Sequence, residues 1–143
     1  MTKLDAILSK IESGRVKVGF PEGNTNPYPD GTSVIEVALH NEFGTSRMPE
    51  RSFMRSTINE NRDAYMDIMR KLMKSVLDGK RSVDDGLEML GVQVQGDMQQ
   101  KISDISQPPN SAQTIALKGS SNPLMDTDHM IQALTYEVVT DED

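Results

Sequence analysis

Between about residue 51 and residue 105 the apolar residues recur at helical spacing twice, with one glycine-containing break between the two runs. Ile58, Tyr65, Met69, Leu72 and Val76 fall on one face of a helix, flanked by Met66, Ile68 and Met73. Leu87, Leu90, Val94, Met98 and Ile102 form a second stripe. Asp78-Gly79-Lys80 separates them, and Ser82-Val83-Asp84-Asp85 reads as a capping box, in which the serine oxygen accepts from the Asp85 backbone and the carboxylate reaches back. The pattern predicts two long helices, from Arg51 or Ser52 to Leu77 and from Ser82 to about Ile105. Gly86, Gly91 and Gly96 weaken the second helix, each by roughly 1 kcal/mol relative to alanine. They either let another backbone approach closely or are simply tolerated.

The remaining segments are shorter. Leu4, Ile7, Leu8 and Ile11 follow the i, i+3, i+4, i+7 spacing of an amphipathic helix that ends at Ser13-Gly14. Arg15 to Phe20 alternates polar and apolar residues, as a half-buried strand does. Residues 21–32 are rich in proline, glycine and asparagine and form an exposed loop. Ser33 to Phe43, with Val34-Ile35-Glu36-Val37-Ala38-Leu39 at its centre, reads as a second strand paired with the first in a long-looped hairpin. Gly44 to Glu50 is a turn. Pro108-Pro109 stops the second long helix. Ser111 caps a short helix ending at Lys118-Gly119, and Asp126 or Thr127 caps another, through Met130 to Ala133. Leu134 to Val139 is a final strand, and residues 140–143 are an acidic tail. The expected architecture is α+β, a small, mostly antiparallel sheet packed against two long helices, with short C-terminal helices and a final strand.

Charge is unevenly placed. The formal net charge is −7 over 143 residues, which disfavours a general nucleic-acid-binding surface. Gly119 to Asp143 holds six acids and no Lys or Arg, whereas Arg47 to Arg81 holds nine bases and five acids. The chain is therefore basic in the middle and acidic at its end. That arrangement fits two solvated faces, and it equally fits an acidic end that meets the basic helix of a neighbouring subunit. There are no cysteines, which removes disulfides and thiolate metal sites and suits a reducing cytoplasm. No apolar run approaches the ~20 residues that span a bilayer.

No catalytic constellation stands out. His40-Asn41-Glu42 could offer two ligands on one strand face, and Asp126, Asp128 and His129 an oxygen and nitrogen cluster, but neither has a metal-site spacing. There is no nucleophile elbow and no glycine-rich phosphate loop. No enzyme activity, cofactor or metal is expected. The ten methionines, including Met66, Met69, Met73, Met89 and Met98, fill a core that has no Trp, and methionine also suits adaptable interfaces. Arg47, Arg51 and Arg55 lie four apart around a helix start, where arginines oppose the helix dipole. A protein carboxylate is the more economical partner for them than a phosphate.

Two blocks carry a family resemblance. One is Ala38-Leu39-His40-Asn41-Glu42-Phe43-Gly44-Thr45 followed by Met48-Pro49-Glu50-Arg51-Ser52-Phe53-Met54-Arg55. The other runs from Pro108-Pro109-Asn110-Ser111 through Lys118-Gly119 to Pro123-Leu124-Met125-Asp126-Thr127 and Ala133-Leu134-Thr135-Tyr136-Glu137-Val138. In order and separation they resemble the neck or tail-completion proteins of tailed bacteriophages, the family typified by a tail component of phage HK97 (gp10-like). The chain departs from that pattern at Asp128, where the family has glycine, at Ser52, where it has proline, and at Ala133, where serine is frequent.

The resemblance implies a structural virion protein occupying residues 1–143 as one domain, assembled in the host cytoplasm. It would form a ring, commonly of six subunits, at the head–tail junction. Its partners would be copies of itself, connector or adaptor proteins and tail-terminator or tail-tube proteins, with DNA passing through the lumen without sequence-specific binding and no membrane involved. A mildly acidic lumen would let phosphates pass. The interface candidates are Arg47, Arg51, Phe53, Arg55, Asp126, Asp128, Tyr136, Asp141, Glu142 and Asp143. A tail-terminator or other tail-tube ring protein is the neighbouring alternative, and a small non-virion binding module or assembly chaperone is the alternative of another class.

Overall fold

The computed structural model describes residues 2–21, 27–28, 31–46, 49–105 and 123–140, and for 123–127 the backbone only. Within these residues the chain is α+β, with five helices and a small two-stranded antiparallel sheet. The order is α1 (Lys3–Ser13), β1 (Arg15–Gly19), α2 (Val34–Phe43), α3 (Met54–Leu77), α4 (Val83–Ile105), α5 (Pro123–Ala133) and β2 (Thr135–Val139). The two long helices stand where their stripes predict. The double proline, the short helix expected after Ser111 and the Asp141–Asp143 tail lie outside the described residues.

The expected second strand is a helix. Val34-Ile35-Glu36-Val37 is rich in β-branched residues, which favours a strand on propensity alone. Tertiary burial decides otherwise: Val34, Ala38 and Glu42, spaced i, i+4, i+8, all point inward. Ser33 caps this helix, its Oγ accepting from the Ile35 N–H at 3.1 Å, and Glu36 sits in the first turn, so Ser-x-x-Glu was the local start signal. Gly44 closes it at φ 74°, a left-handed backbone position that favours glycine, and donates to the His40 carbonyl at 2.8 Å. The expected hairpin is consequently absent, and β1 pairs with β2 instead. Helix α5 begins at Pro123, three residues before the expected cap, so Asp126 and Thr127 lie inside it; proline is suited to a first helical position.

The chain forms two compact units. One comprises residues 1–18, 61–95 and 136–143, and the other residues 19–60 and 96–135. In the first unit, Tyr65, Val76, Val83 and Val94 are buried. Lys10 pairs with Asp84 at 3.3 Å, linking α1 to α4. Helix α1 is closed by a complete capping box between Thr2 and Asp5, yet it buries no residue fully, and Leu4 and Leu8 remain exposed. The α4 glycines now separate into three cases. At Gly91 a methyl group would overlap the Tyr136 ring, so the close approach there is to an aromatic side chain. At Gly86 it would make ordinary contact with Leu72 and Val76, and at Gly96 it would meet open space.

In the second unit, Val34, Phe53, Ile102 and Leu134 are fully buried. Phe20 meets Phe53 edge-on, with centroids 6.1 Å apart, and Tyr28 stacks on His129 at 4.4 Å. Helix α2 packs on α5, and the Gln99 side-chain amide donates to the Ile131 carbonyl at 2.9 Å.

Candidate functional site at the Glu42 corner

Helix α3 starts with no acid in its first turn, although the first backbone N–H groups of a helix lack partners within it and carry partial positive charge. The missing carboxylate comes from the end of α2. Glu42 Oε1 accepts from the N–H groups of Phe53 (3.1 Å) and Met54 (2.9 Å). Its Oε2 accepts from the Arg55 N–H (3.2 Å), from Arg55 Nε (2.7 Å) and from the Ser52 hydroxyl. One buried carboxylate thus caps a helix from another element and closes the loop between them. The Arg51 N–H donates to the Asn41 carbonyl at 2.6 Å, adding a backbone tie at the same corner.

Arg55 completes the arrangement. Its Nη2 donates to the Glu42 carbonyl at 2.5 Å and to the Glu50 carboxylate at 2.6 Å. Its guanidinium carbon lies 4.5 Å from the centre of the Phe43 ring, a cation–π distance. Burial alone would raise the Glu42 pKa, but the hydrogen bonds from Ser52, Arg55 and the backbone of Met54 and Arg55 outweigh it and hold the carboxyl below its ordinary value. Arg55 is pushed up in turn, chiefly by its hydrogen bond to Glu42. Glu42 is thus a fixed anion committed to structure.

A surface forms around this corner. Ile35, Leu39 and Phe43 follow one another at i, i+4, i+8 on α2, with Leu39 52% and Phe43 60% exposed. With Phe20, Met54 and the Arg55 stem they line a shallow apolar cavity of about 390 Å³. The first unit carries a separate apolar groove of about 160 Å³, lined by Ile11, Met69, Leu72, Met73, Leu87 and Leu90 among others. Of the two linings, that of the second unit contains ionisable groups, Glu42 and Arg55, and these are paired with each other.

Comparison of the chain with family models, with curated proteins and with solved structures finds no match. Its chemistry therefore has to be taken from these surfaces.

Of the residues singled out in the sequence, Arg51, Phe53 and Arg55 lie together at this corner. Phe53 is fully buried there, with its ring in the core of the unit. The Arg55 guanidinium is taken up by two carboxylates of its own chain. Asp128 is exposed on α5, in the same unit. Tyr136 belongs to the other unit, where its hydroxyl donates to Glu88 at 2.5 Å; that bond raises the phenol pKa. Arg47, Asp141, Glu142 and Asp143 lie outside the described residues, as does the side chain of Asp126. His40 and Glu42 cannot act as paired ligands across a strand face, because on a helix residues two apart do not face each other. Among the described residues no group of three or more His, Cys, Asp or Glu is placed to hold a metal ion. Among the described residues no helix is long and apolar enough to cross a membrane.

Glu42 is the residue that sequence reasoning missed. A signal was present: a long helix whose first turn contains Arg55 and no acid needs a carboxylate from elsewhere.

Proposed function

We propose that this chain is a structural virion protein of a tailed bacteriophage, forming a ring at the head–tail junction that joins connector to tail around the DNA channel. One observation carries the reading. The first block of the phage-neck resemblance is the set of residues that builds the Glu42 corner. Glu42 supplies the carboxylate, Gly44 the left-handed turn, Phe53 the core anchor and Arg55 the clamp. A motif that spends its residues on holding two helices in fixed relation, without presenting reactive groups, suits a protein whose task is to display a surface. The exposed α2 stripe beside it is such a surface, and exposed apolar patches mark interaction sites.

The test is the composition of purified particles and the mass of the purified protein. The reading expects the chain in mature particles at ring copy number, located at the neck, and a closed homo-oligomer at assembly concentration. Its absence from particles would overturn the reading in favour of a binding module or chaperone, and a position at the distal end of the neck would shift it to a tail terminator. Charge reversal by Arg51→Glu and removal of Asp141 to Asp143 should each weaken assembly and change its salt dependence. Assembly of both variants unchanged across salt would refute an electrostatic contact between the chain's acidic end and its basic middle.

A further inference from the structure

The two-stranded sheet has two outer edges. In an antiparallel pair each strand uses one side of its backbone for its partner and turns the other side outward. Among the described residues no backbone hydrogen bond outside the sheet ladder involves residues 15–19 or 135–139. The outward N–H and C=O groups of β1 and of β2 are therefore not taken up by the backbone of a described helix or loop. Such an edge is a template for a further strand. Two strands are also few, because a sheet becomes independently stable with three or more, or by packing on a helix. Here the helix packing includes the Tyr136 ring against Gly91 of α4.

Charge distinguishes the two edges. Both strands alternate exposed and half-buried residues over their first four positions. The exposed side of β1 carries Arg15 and Lys17, and that of β2 carries Thr135 and Glu137. One strand is thus purely cationic on that side, and the other purely anionic. Among the described residues Arg15, Lys17 and Glu137 take part in no ion pair. All three belong to the first unit.

Three edge-to-edge pairings between two copies are conceivable. Pairing β1 with β1 sets Arg15 and Lys17 against their own counterparts. Pairing β2 with β2 sets Glu137 against its counterpart. Like charges facing each other across strands destabilise a sheet, and opposite charges support it. Pairing β1 with β2 alone sets cations against an anion. The backbone groups supply the adhesion, and the side chains choose which edge is accepted.

We infer that the β1 edge of one copy pairs with the β2 edge of a second copy, so that the sheet continues from subunit to subunit in antiparallel order. The contact is heterologous, the kind from which a closing ring is built. It names a subunit contact of the ring proposed above and rests on that reading.

The chain has no cysteine, so single thiols can be introduced without background. The experiment uses full-length Lys17→Cys and Thr135→Cys, separately and mixed, treated with a short bismaleimide, which adds one thiol at each end. Both positions are exposed, and circular dichroism checks the fold. Each variant keeps one charge of the contact, Arg15 in the first and Glu137 in the second. The expected result is a covalent dimer from the mixture and little from either variant alone. Adding Glu137→Gln to the Thr135→Cys chain should lower the dimer yield about two- to fivefold at low salt, with the difference gone at high salt. The unsubstituted chain gives a second reading: amide hydrogen exchange in 15–19 and 135–139 should slow when the protein assembles.

Strong crosslinking of either variant alone would overturn the heterologous contact in favour of a two-fold one. Equal yields with and without Glu137→Gln at low salt would overturn the choice of edge by charge. A ring-sized assembly that gives no mixed dimer, with exchange unchanged in both strands, would overturn the edge contact and leave the neck reading standing. A mixed dimer from a protein absent from particles would keep the contact and overturn the neck reading.

Discussion

Replacing Glu42 by glutamine tests whether one carboxylate really holds the α2–α3 corner. The substitution keeps the shape of the side chain and removes its charge. In the folded chain Oε1 accepts from two backbone N–H groups and Oε2 from a third, from Arg55 Nε and from the Ser52 hydroxyl. A glutamine can present its oxygen to only one of those sides, and its NH2 then faces backbone donors on the other. Counted singly, five charge-assisted bonds at ~1.5–3 kcal/mol each would equal a typical domain's whole stability of ~5–15 kcal/mol. That sum cannot apply, because burying the carboxylate carries a desolvation cost that offsets much of it. Removing one member of a buried ion pair costs ~3–5 kcal/mol, which is the appropriate scale. For a chain of this length it corresponds to a fall in Tm of roughly 10–20 °C.

Urea and thermal unfolding of wild type and Glu42→Gln measure the difference. Asp67→Asn serves as control, since Asp67 pairs with Arg70 at 2.8 Å in solvent three residues away on the same helix and should cost at most ~0.5 kcal/mol. The pH dependence gives an independent check. The folded Glu42 carboxyl lies below its ordinary value, so its stabilisation is complete above the unfolded pKa and is lost as pH falls through the folded one. The gap between wild type and Glu42→Gln should therefore be widest near neutral pH and should narrow in acid. A glutamine variant within ~1 kcal/mol of wild type at pH 7, or a gap that does not change with pH, would refute the assignment.

Other expectations follow from single contacts. Gly91→Ala should destabilise by ~1–3 kcal/mol through overlap with the Tyr136 ring, while Gly96→Ala, in open space on the same helix, should stabilise by up to ~1 kcal/mol; equal effects in thermal melts would contradict the packing of β2 on α4. Gly44→Ala forces a Cβ into φ 74° and should cost ~1–2 kcal/mol in urea titrations. Arg55→Lys removes the fork that reaches Glu42 and Glu50 together and the flat cation over Phe43; it should lower Tm, by less than Glu42→Gln, with most of the effect gone in the Glu42→Gln background.

Long periodic segments were legible from the sequence, since α3 and α4 each repeat an apolar stripe over many turns and no competing structure satisfies that period. Helix α2 was not. Five of its first six residues are apolar, so neither a period of two nor one of 3.6 stands out, and its β-branched content pointed to a strand. The decisive facts were tertiary: burial of the Val34–Ala38–Glu42 side, and a helix start twelve residues downstream of Glu42 that required an anion. The same blindness to distant partners hid the pairing of β1, because a half-buried strand announces its alternation but not its neighbour. The site was half legible. Arg51, Phe53 and Arg55 were singled out by position, and a carboxylate was named as the economical partner for the arginines, but which carboxylate depended on a helix that had been read as a strand.

The strand pairing has a consequence for how the chain is made. Strand β1 ends at Gly19 and β2 begins at Thr135, so during synthesis β1 emerges early and stays without its partner while nearly all of the intervening chain is produced. The Glu42 corner joins residues only eleven to thirteen positions apart and can close on the submicrosecond scale of short loops. The α2–α3 corner can therefore be in place on the ribosome while the sheet waits for residue 139, leaving β1 with open hydrogen-bonding edges throughout. A chain that stalls before β2 would present a finished corner, with the apolar side of α2 beside it, on an unfinished fold.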